Sequence, residues 1–256
     1  MKKRWVIKAG SNMVCTGGPL LLRTWMQQLS VLRRRYNIEV VWVTSGAIAA
    51  ATERAQRKAG KRRTLAEKQA LSAIGQPLVM DLYNLALQAT GLLGAQVLLT
   101  YDDLANRTRR GNFRNTVEQL LKWDVVPILN ENDAVATDEI KFGDNDSLAA
   151  KVAGVVEADR LVILTDVIGL CDSDPRTNRS AKLIPNVSRI DSSLLKKVTP
   201  AAGSAHGTGG MYSKLLAAKL AAKNGVETWL MKGDTPAVLI ESAEGRNLGT
   251  VVSSKR

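Results

Sequence analysis

Short apolar runs rich in Val, Ile and Leu alternate along the chain with segments that have helical spacing. Strands are predicted at residues 5–8, 39–43, 96–100, 125–129, 160–164 and 228–231. Helices are predicted at 20–35, from 46 to about 88, at 144–157 and at 210–224, with breaks in the long tract near Gly60 and near Gly75-Gln76-Pro77. Strands separated by single helices indicate βαβ units and a mostly parallel sheet. The expected fold class is therefore α/β, a three-layer α/β/α sandwich that forms one domain over residues 1–256.

Residues 172–198 interrupt this alternation. They are polar, contain proline and are only weakly periodic. We expect this segment to leave the core of the sheet and to form a lid or a small hairpin over a site.

Two glycine turns each carry a lysine. Lys8 lies at the tip of the first predicted strand, just before Gly10, and Lys214 follows the Gly207-Thr208-Gly209-Gly210 turn. The second turn has neither the Walker A order nor a complete dinucleotide fingerprint, because Tyr212 stands where the third glycine belongs. In parallel sheets, ligands bind at the carboxyl ends of strands. Two such turns with two lysines indicate a clamp for a transferring phosphoryl group.

Other predicted strand ends carry polar side chains. Thr44-Ser45-Gly46 leads into a helix, where Thr44 or Ser45 could be an N-cap or the helix start could bind an anion. The run 130–133, Asn-Glu-Asn-Asp, follows a buried strand and suits an ammonium group or a metal ion. The run 143–146, Gly-Asp-Asn-Asp, opens a helix, where Asp144 or Asn145 could be a cap.

The net charge and the aromatic content indicate what kind of molecule the chain binds. The net charge is +12, from 36 basic and 24 acidic residues, which suits an anionic partner. No aromatic residue lies within the densest basic run, so a solvated or anion-steering surface is favoured over a base-stacking one. That run comprises Arg54, Arg57, Lys58, Lys61, Arg62, Arg63 and Lys68.

The sequence has few residues that could support catalysis by histidine, by a thiol or by a protein-bound metal ion. His206 is the single histidine, and Cys15 and Cys171 have no metal-ligand spacing, so both are expected to be plain buried or half-buried thiols. No apolar run reaches the roughly 18 residues of a spanning helix, and the start lacks a signal peptide. A cytoplasmic location without membrane contact is expected.

Six motifs in order resemble those of the amino-acid kinase superfamily, over nearly the whole chain. The residues that carry the resemblance are 43–50, 68–76, 130–135, 142–146, 164–170 and 207–214. Within that superfamily the chain is similar to enzymes that phosphorylate the γ-carboxylate of L-glutamate with ATP, the first step of proline biosynthesis. A relative with another acceptor, such as acetylglutamate or aspartate, stays open. The Asn-Glu-Asn-Asp run favours an acceptor with a free amino group.

The resemblance also implies residue roles. Lys8 and Lys214 would contact ATP phosphates, and Asp146 would orient both lysines. Ser45, Asp133 and Asn145 would bind glutamate. The nucleotide would be held by Lys8, Thr165, Asp166, Thr208, Gly209, Gly210, Met211, Tyr212, Ser213 and Lys214.

Further implications concern cofactor, assembly and regulation. Mg²⁺ would bridge the ATP phosphates and need few direct protein ligands. The resemblance implies a homodimer or homotetramer that is inhibited by proline, with the helices between Gly60 and Gln88 as a subunit contact. Since the chain ends at Arg256, the C-terminal PUA domain of many members is expected to be absent. The rival from another class is a nucleic-acid-binding or regulatory protein on the same scaffold, because fold alone does not fix function.

Overall fold

The computed structural model describes residues 2–55, 63–136, 145–175, 177–198 and 210–254. The strands are β1 Lys3–Ala9, β2 Ile38–Val43, β3 Leu93–Leu99, β4 Val125–Glu131, β5 Arg160–Thr165, β6 Asn186–Val187, β7 Glu227–Lys232 and β8 Gly249–Val252. The helices are α1 Ser11–Tyr36, α2 Ala47–Arg54, α3 Leu65–Gln88, α4 Tyr101–Ala105, α5 Arg107–Lys122, α6 Asn145–Val155, α7 Ser192–Val198, α8 Met211–Lys223 and α9 Val238–Ala243.

In the described part of the chain, the strands form one eight-stranded sheet in the order β3-β4-β2-β1-β5-β7-β8-β6. Neighbouring strands run parallel except β7 and β8, which pair antiparallel. Helices cover both faces, so the predicted α/β/α sandwich with a mostly parallel sheet is confirmed. β1 lies near the middle, and its carboxyl end is flanked by the ends of β2 and β5.

Side chains alternate between the two faces of each strand, as the pleat requires. In β1, Trp5 and Ile7 pack with α1, α3 and α9, which we call the α1 side, whereas Val6 packs with α4, α5, α6 and α8, the α6 side. Because both faces are covered, the middle parts of β1, β2, β4 and β5 are apolar on both faces instead of alternating with polar residues. Lys8 is two residues after Val6, so its ammonium group extends toward the α6 side.

The predicted break at Gly75-Gln76-Pro77 is wrong, since α3 continues through all three residues. Gly75 serves close packing instead: a Cβ atom there would lie 1.8 Å from the carbonyl oxygen of Ala47 in α2. The predicted break near Gly60 lies outside the described residues.

Helix α1 begins nine residues before its predicted start at residue 20. The sequence Gly17-Gly18-Pro19 hid this first part, and Gly18 has φ 59° and ψ −164°, a kink inside the helix. The first turn of α1 therefore lies directly after Lys8, beside the predicted site.

Several elements were not predicted: α4, α5, α9 and β8. Residues 172–198 were expected to leave the core of the sheet. They do so only in part, because β6 pairs with β8 at the edge of the sheet and α7 follows β6. Cys171 bridges to Leu183 in a single antiparallel pair, which makes a short hairpin-like connection.

Other expectations concern surfaces and thiols. Arg54 and Lys68 are exposed and Arg63 is half-buried, whereas residues 57, 58, 61 and 62 lie outside the described part. Cys15 is half-buried and Cys171 buried, and both are free thiols, as predicted. Within the described ranges, every helix is too short or too polar to cross a bilayer.

The contact of Gly75 with Ala47 gives a test of the packing. Gly75→Ala should lower the free energy of unfolding by about 2–3 kcal/mol, because the added methyl group overpacks a backbone contact. Gly111→Ala is the matched control: it lies inside α5 with nothing within 4 Å of the added Cβ, so it should be neutral or stabilise by up to about 1 kcal/mol. Urea denaturation measures both, and an equal response of the two variants would contradict the packing.

Candidate active site

A carboxylate between two lysines is the central feature of the site. Asp146, in the first turn of α6, is fully buried. One of its oxygens forms an ion pair with the Lys8 ammonium group, and the other lies 3.1 Å from Nζ of Lys214 at the start of α8. Ser213 Oγ is 3.4 Å from the same oxygen as Lys214. The lysine side chains are 4% and 9% exposed, so three charges are held away from water with one positive charge in excess.

Three helices begin around this cluster without side-chain caps. The N-caps of α1, α2 and α8 are Gly10, Gly46 and Gly210, and none of the first turns contains an acidic residue. Helix N-termini leave backbone N–H groups without intrahelical partners and carry a partial positive charge. These starts can therefore bind phosphate or carboxylate oxygens.

Residues 44–46 had two interpretations, a helix cap at Thr44 or Ser45 and an anion site. The start of α2 shows that the first one is wrong. Neither Thr44 nor Ser45 caps the helix, because Gly46 is the N-cap with φ 104°. A Cβ atom on Gly46 would also lie 3.0 Å from the sulfur of Cys15, so both backbone and space favour glycine here. The interpretation of this turn as an anion site fits the uncapped helix start.

Ser45 and Asn145 border the side of the cluster toward β2 and β4. Ser45 Oγ and Ser11 Oγ are 2.8 Å apart, which ties the loops after β1 and β2 together. The Asn145 amide donates to the Thr44 carbonyl oxygen at 2.6 Å and to Asn130 Oδ1 at 2.5 Å. Asn145 is the first residue of α6, and its side-chain amide holds two strand ends in place. Asp144 lies outside the described residues.

Helix α3 supports these loops from behind. Ser72 Oγ donates to Asp133 Oδ2 at 3.2 Å, and Gln76 Nε2 donates to the Glu131 carbonyl oxygen at 3.3 Å. The Tyr83 hydroxyl accepts hydrogen bonds from Thr44 Oγ1 at 2.9 Å and Trp42 Nε1 at 2.8 Å. These contacts fix the loops after β2 and β4 relative to one helix.

Two carboxyl groups in this region have raised pKa values. Burial raises the pKa of Asp133, although the Ser72 hydrogen bond opposes the shift. Burial and the nearby charge of Asp133 raise the pKa of Glu131 to about 7. Desolvation disfavours the charged form of a carboxylate, so a bound cation would favour the ionised form of both groups.

On the opposite side of the cluster lie Thr165 and Asp166, at the end of β5. Thr165 is buried and donates from Oγ1 to Asp166 Oδ1 at 3.1 Å, whereas Asp166 is exposed. Gly210, Met211, Tyr212 and Ser213 form the start of α8. Thr208, Gly209 and His206 lie outside the described residues.

The structure brings most of the predicted site residues to one edge of the sheet and adds others. Ser11, Asn130, Glu131 and Ser72 had no individual assignment from the sequence. Asn130 and Glu131 belong to a polar run after a buried strand, which was a usable signal. Ser72 had none, because a single serine on a long apolar helix looks like any other surface position. Among the described residues, no three His, Cys, Asp or Glu side chains lie close enough to hold a metal ion.

The sequence of the chain is similar to those of known proteins. The sequence model of the amino acid kinase family matches residues 3–232. The glutamate 5-kinase of Alcanivorax borkumensis is 45% identical over 255 residues, which cover 98% of this chain and 67% of that protein. The glutamate 5-kinase of Pseudomonas savastanoi pv. phaseolicola is 44% identical over 258 residues, covering 99% and 69%. The chain thus spans about two thirds of the length of these relatives.

A solved structure shares the fold. The UMP kinase from Ureaplasma parvum aligns over 99% of both chains with a TM-score of 0.64 and 16% sequence identity. At this identity the likeness concerns the architecture alone.

The buried cluster gives a stability test. Asp146→Asn should lower the free energy of unfolding by about 3 kcal/mol or more, because two buried ammonium groups lose their counter-charge. Asp81→Asn, an exposed aspartate on α3, is the control and should stay within about 0.5 kcal/mol. Urea denaturation at pH 7 compares them; equal midpoints for the two variants would show that Asp146 does not neutralise the lysines.

Proposed function

The chain belongs to the amino acid kinase family, and from this premise we propose that it transfers the γ-phosphoryl group of ATP to the side-chain carboxylate of L-glutamate. The products are ADP and L-glutamyl 5-phosphate, the first step of proline biosynthesis. The substrate follows from relatives at 44–45% identity that are named glutamate 5-kinase. The observation that carries the chemistry is the Asp146-bridged lysine pair, surrounded by uncapped helix starts.

The lysines act on the transferring phosphoryl group. An oxygen of the γ-carboxylate forms a bond to the γ-phosphorus while the bond from that phosphorus to the β–γ bridging oxygen breaks, and the electron pair leaves with ADP. Lys8 and Lys214 stabilise the charge on the phosphoryl and bridging oxygens, which is most of what such catalysis requires. Asp146 positions both ammonium groups before the substrates arrive.

No general base is needed for the attack. A glutamate side chain has a free pKa of roughly 4.3, so the nucleophile is already ionised at neutral pH. This differs from a hydroxyl acceptor, whose proton must be removed. A mechanism without a general base is consistent with a sequence that has one histidine.

Ser45, Asn145 and Asp133 supply the acceptor side. Ser45 lies at the uncapped start of α2, where backbone N–H groups can receive a carboxylate. Asp133 is a half-buried acid in the loop after β4 and can bind the ammonium group. Asn145 holds the ends of β2 and β4 at a fixed spacing.

The nucleotide side is formed by Thr165, Asp166 and the residues from Thr208 to Lys214. We expect Mg²⁺ to be held by phosphate oxygens and water, because the carboxylate of Asp146 is already engaged by two lysines. When bound, the ion neutralises phosphate charge.

Assembly and regulation belong to the same proposal. We propose a cytoplasmic homodimer or homotetramer that proline inhibits at or near the acceptor site. Ile74 and Leu85 on α3 are 49% and 63% exposed, which supports a subunit contact there. The mass of a single chain, measured by light scattering, would contradict the proposed oligomer. Unchanged activity in excess proline would contradict the proposed inhibition.

The choice of acceptor tests the function. A coupled assay of ADP release should give far higher kcat/KM for L-glutamate than for N-acetylglutamate or aspartate, because the first analogue lacks the cation and the second is one methylene short. The signal must also depend on ATP and yield an acyl phosphate that hydroxylamine traps. Equal turnover of glutamate and N-acetylglutamate would overturn the assignment.

A further inference from the structure

Glu131 is a buried acid to which the roles above assign no task. It is the last residue of β4, and the whole residue is only 4% exposed. Its backbone is fixed on both sides: the N–H donates to Asn130 Oδ1 at 3.0 Å, and the carbonyl oxygen accepts from Gln76. It is also in register with Leu99 of β3. The backbone therefore fixes the direction of its side chain.

The register places that side chain in the acceptor region. Leu129 packs on the α6 side of the sheet and pairs with Val43 of β2. Because side chains alternate along a strand, Glu131 extends to the same side as Leu129. Two residues beyond Val43 comes Ser45, so Glu131 and Ser45 end adjacent strands on the face that holds α6.

Among the described residues, none makes a hydrogen bond or an ion pair with the carboxylate of Glu131. The charged groups on the elements that border this strand end lie in its own loop, in α4, in α6 and in α3. They are Asp133, Asp102, Asp103, Asp146, Lys151, Glu67, Lys68 and Asp81. Of these groups only the charge of Asp133 shifts the pKa of Glu131, and it raises that pKa.

Several of these charged groups have contacts of their own. Asp103 closes a capping box with Thr100 and pairs with Arg109. Asp146 is bridged by the two lysines, and the ammonium group of Lys151 lies 4.4 Å from the centre of the Tyr101 ring.

Glu131 is buried and Asp133 is half-buried, and neither forms an ion pair with a described residue. Two such acids of like charge are unfavourable side by side, since each loses hydration and repels the other. The burial and the charge of Asp133 together raise the pKa of Glu131 to about 7, so part of the population is protonated at neutral pH. A ligand that brings a positive charge between the two groups removes both penalties. The proposed acceptor carries one such charge, its α-ammonium group.

We propose that Glu131 and Asp133 together form the pocket for the α-ammonium group of the acceptor, and that Glu131 thereby makes the enzyme require a free amino group. This inference rests on the proposed glutamate kinase function and adds a substrate-binding residue to it. The ammonium group binds the ionised form of Glu131, so binding of glutamate drives a proton off this side chain near neutral pH. Affinity for glutamate should accordingly rise with pH through about 7 and then level off.

The test compares wild type with Glu131→Gln, which keeps the shape and removes the charge. For L-glutamate, KM should rise about 10- to 100-fold, the range expected when a charge-assisted contact is lost, whereas kcat and the KM for ATP should change by less than about threefold. Glutarate, which has both carboxylates and no amino group, should be used equally poorly by both enzymes. Glu157→Gln is the control, since its side chain is 69% exposed and pairs only with Arg114 among described residues.

The pH dependence of the melting temperature distinguishes a binding role of Glu131 from a structural one. A carboxyl group whose pKa is raised on folding lowers the free energy of unfolding as pH rises from about 4.5 to about 7. Glu131→Gln removes this loss, so its melting temperature relative to wild type should increase between pH 5 and pH 8. A lower melting temperature at pH 8 together with a lower kcat would show a structural role and overturn the inference.

A second measurement needs only the wild-type chain. Calorimetric titration with glutamate at pH 7, in two buffers of different ionisation enthalpy, should show proton release that is absent with glutarate. If the wild type phosphorylates glutamate but Glu131→Gln keeps its KM and the calorimetry shows no proton release, this inference fails and the proposed function stands. If the wild type does not phosphorylate glutamate, both fail.

Discussion

The buried ion cluster of Lys8, Asp146 and Lys214 is the constraint on which the rest of the structure depends. Two ammonium groups can be withdrawn from water only if an acid is placed between them, because the desolvation of an unpaired charge costs several kcal/mol. Asp146 is fully buried and contacts both lysines. This single carboxylate therefore joins the middle strand of the sheet to α6 and α8. The excess positive charge lies at the edge where three uncapped helix starts meet, so an anionic ligand is favoured there.

The proposed acceptor side is built differently, from loops that hydrogen-bond to a single helix, α3. Gly75 lets α3 pack against the first residue of α2, and Tyr83, Gln76 and Ser72 hydrogen-bond to the loops after β2 and β4. Preorganised loops can bind the substrate without rearrangement, which preserves binding energy for the reaction. Residues of α3 that touch no ligand should thus influence the affinity for the acceptor more than the rate of phosphoryl transfer.

Much of this architecture could be predicted from local pattern. The strands were predicted because runs such as 125–129 are apolar. Lys8 and Lys214 were singled out because each lies beside a glycine turn, whereas the role of Asp146 was implied by the resemblance to the amino-acid kinase superfamily. The first nine residues of α1 were missed because Gly17, Gly18 and Pro19 resemble a turn. The break expected at Gly75 was wrong because a glycine required for close packing cannot be told from a helix breaker by sequence alone. Glu131 differs from other acids in having no hydrogen-bond or ion-pair partner for its carboxylate among the described residues, and a partner list of this kind exists only in three dimensions.

We propose that the paired lysines stabilise the phosphoryl group during transfer and do not merely bind ATP. Lys214→Ala, studied by steady-state and single-turnover kinetics with saturating glutamate, separates these two roles. The account predicts a fall in kcat on the order of 10²-fold or more, with a much smaller change in the KM for ATP, as expected when transition-state stabilisation is lost. An unchanged kcat with only a raised KM for ATP would contradict it, because the lysine would then contribute uniform binding alone.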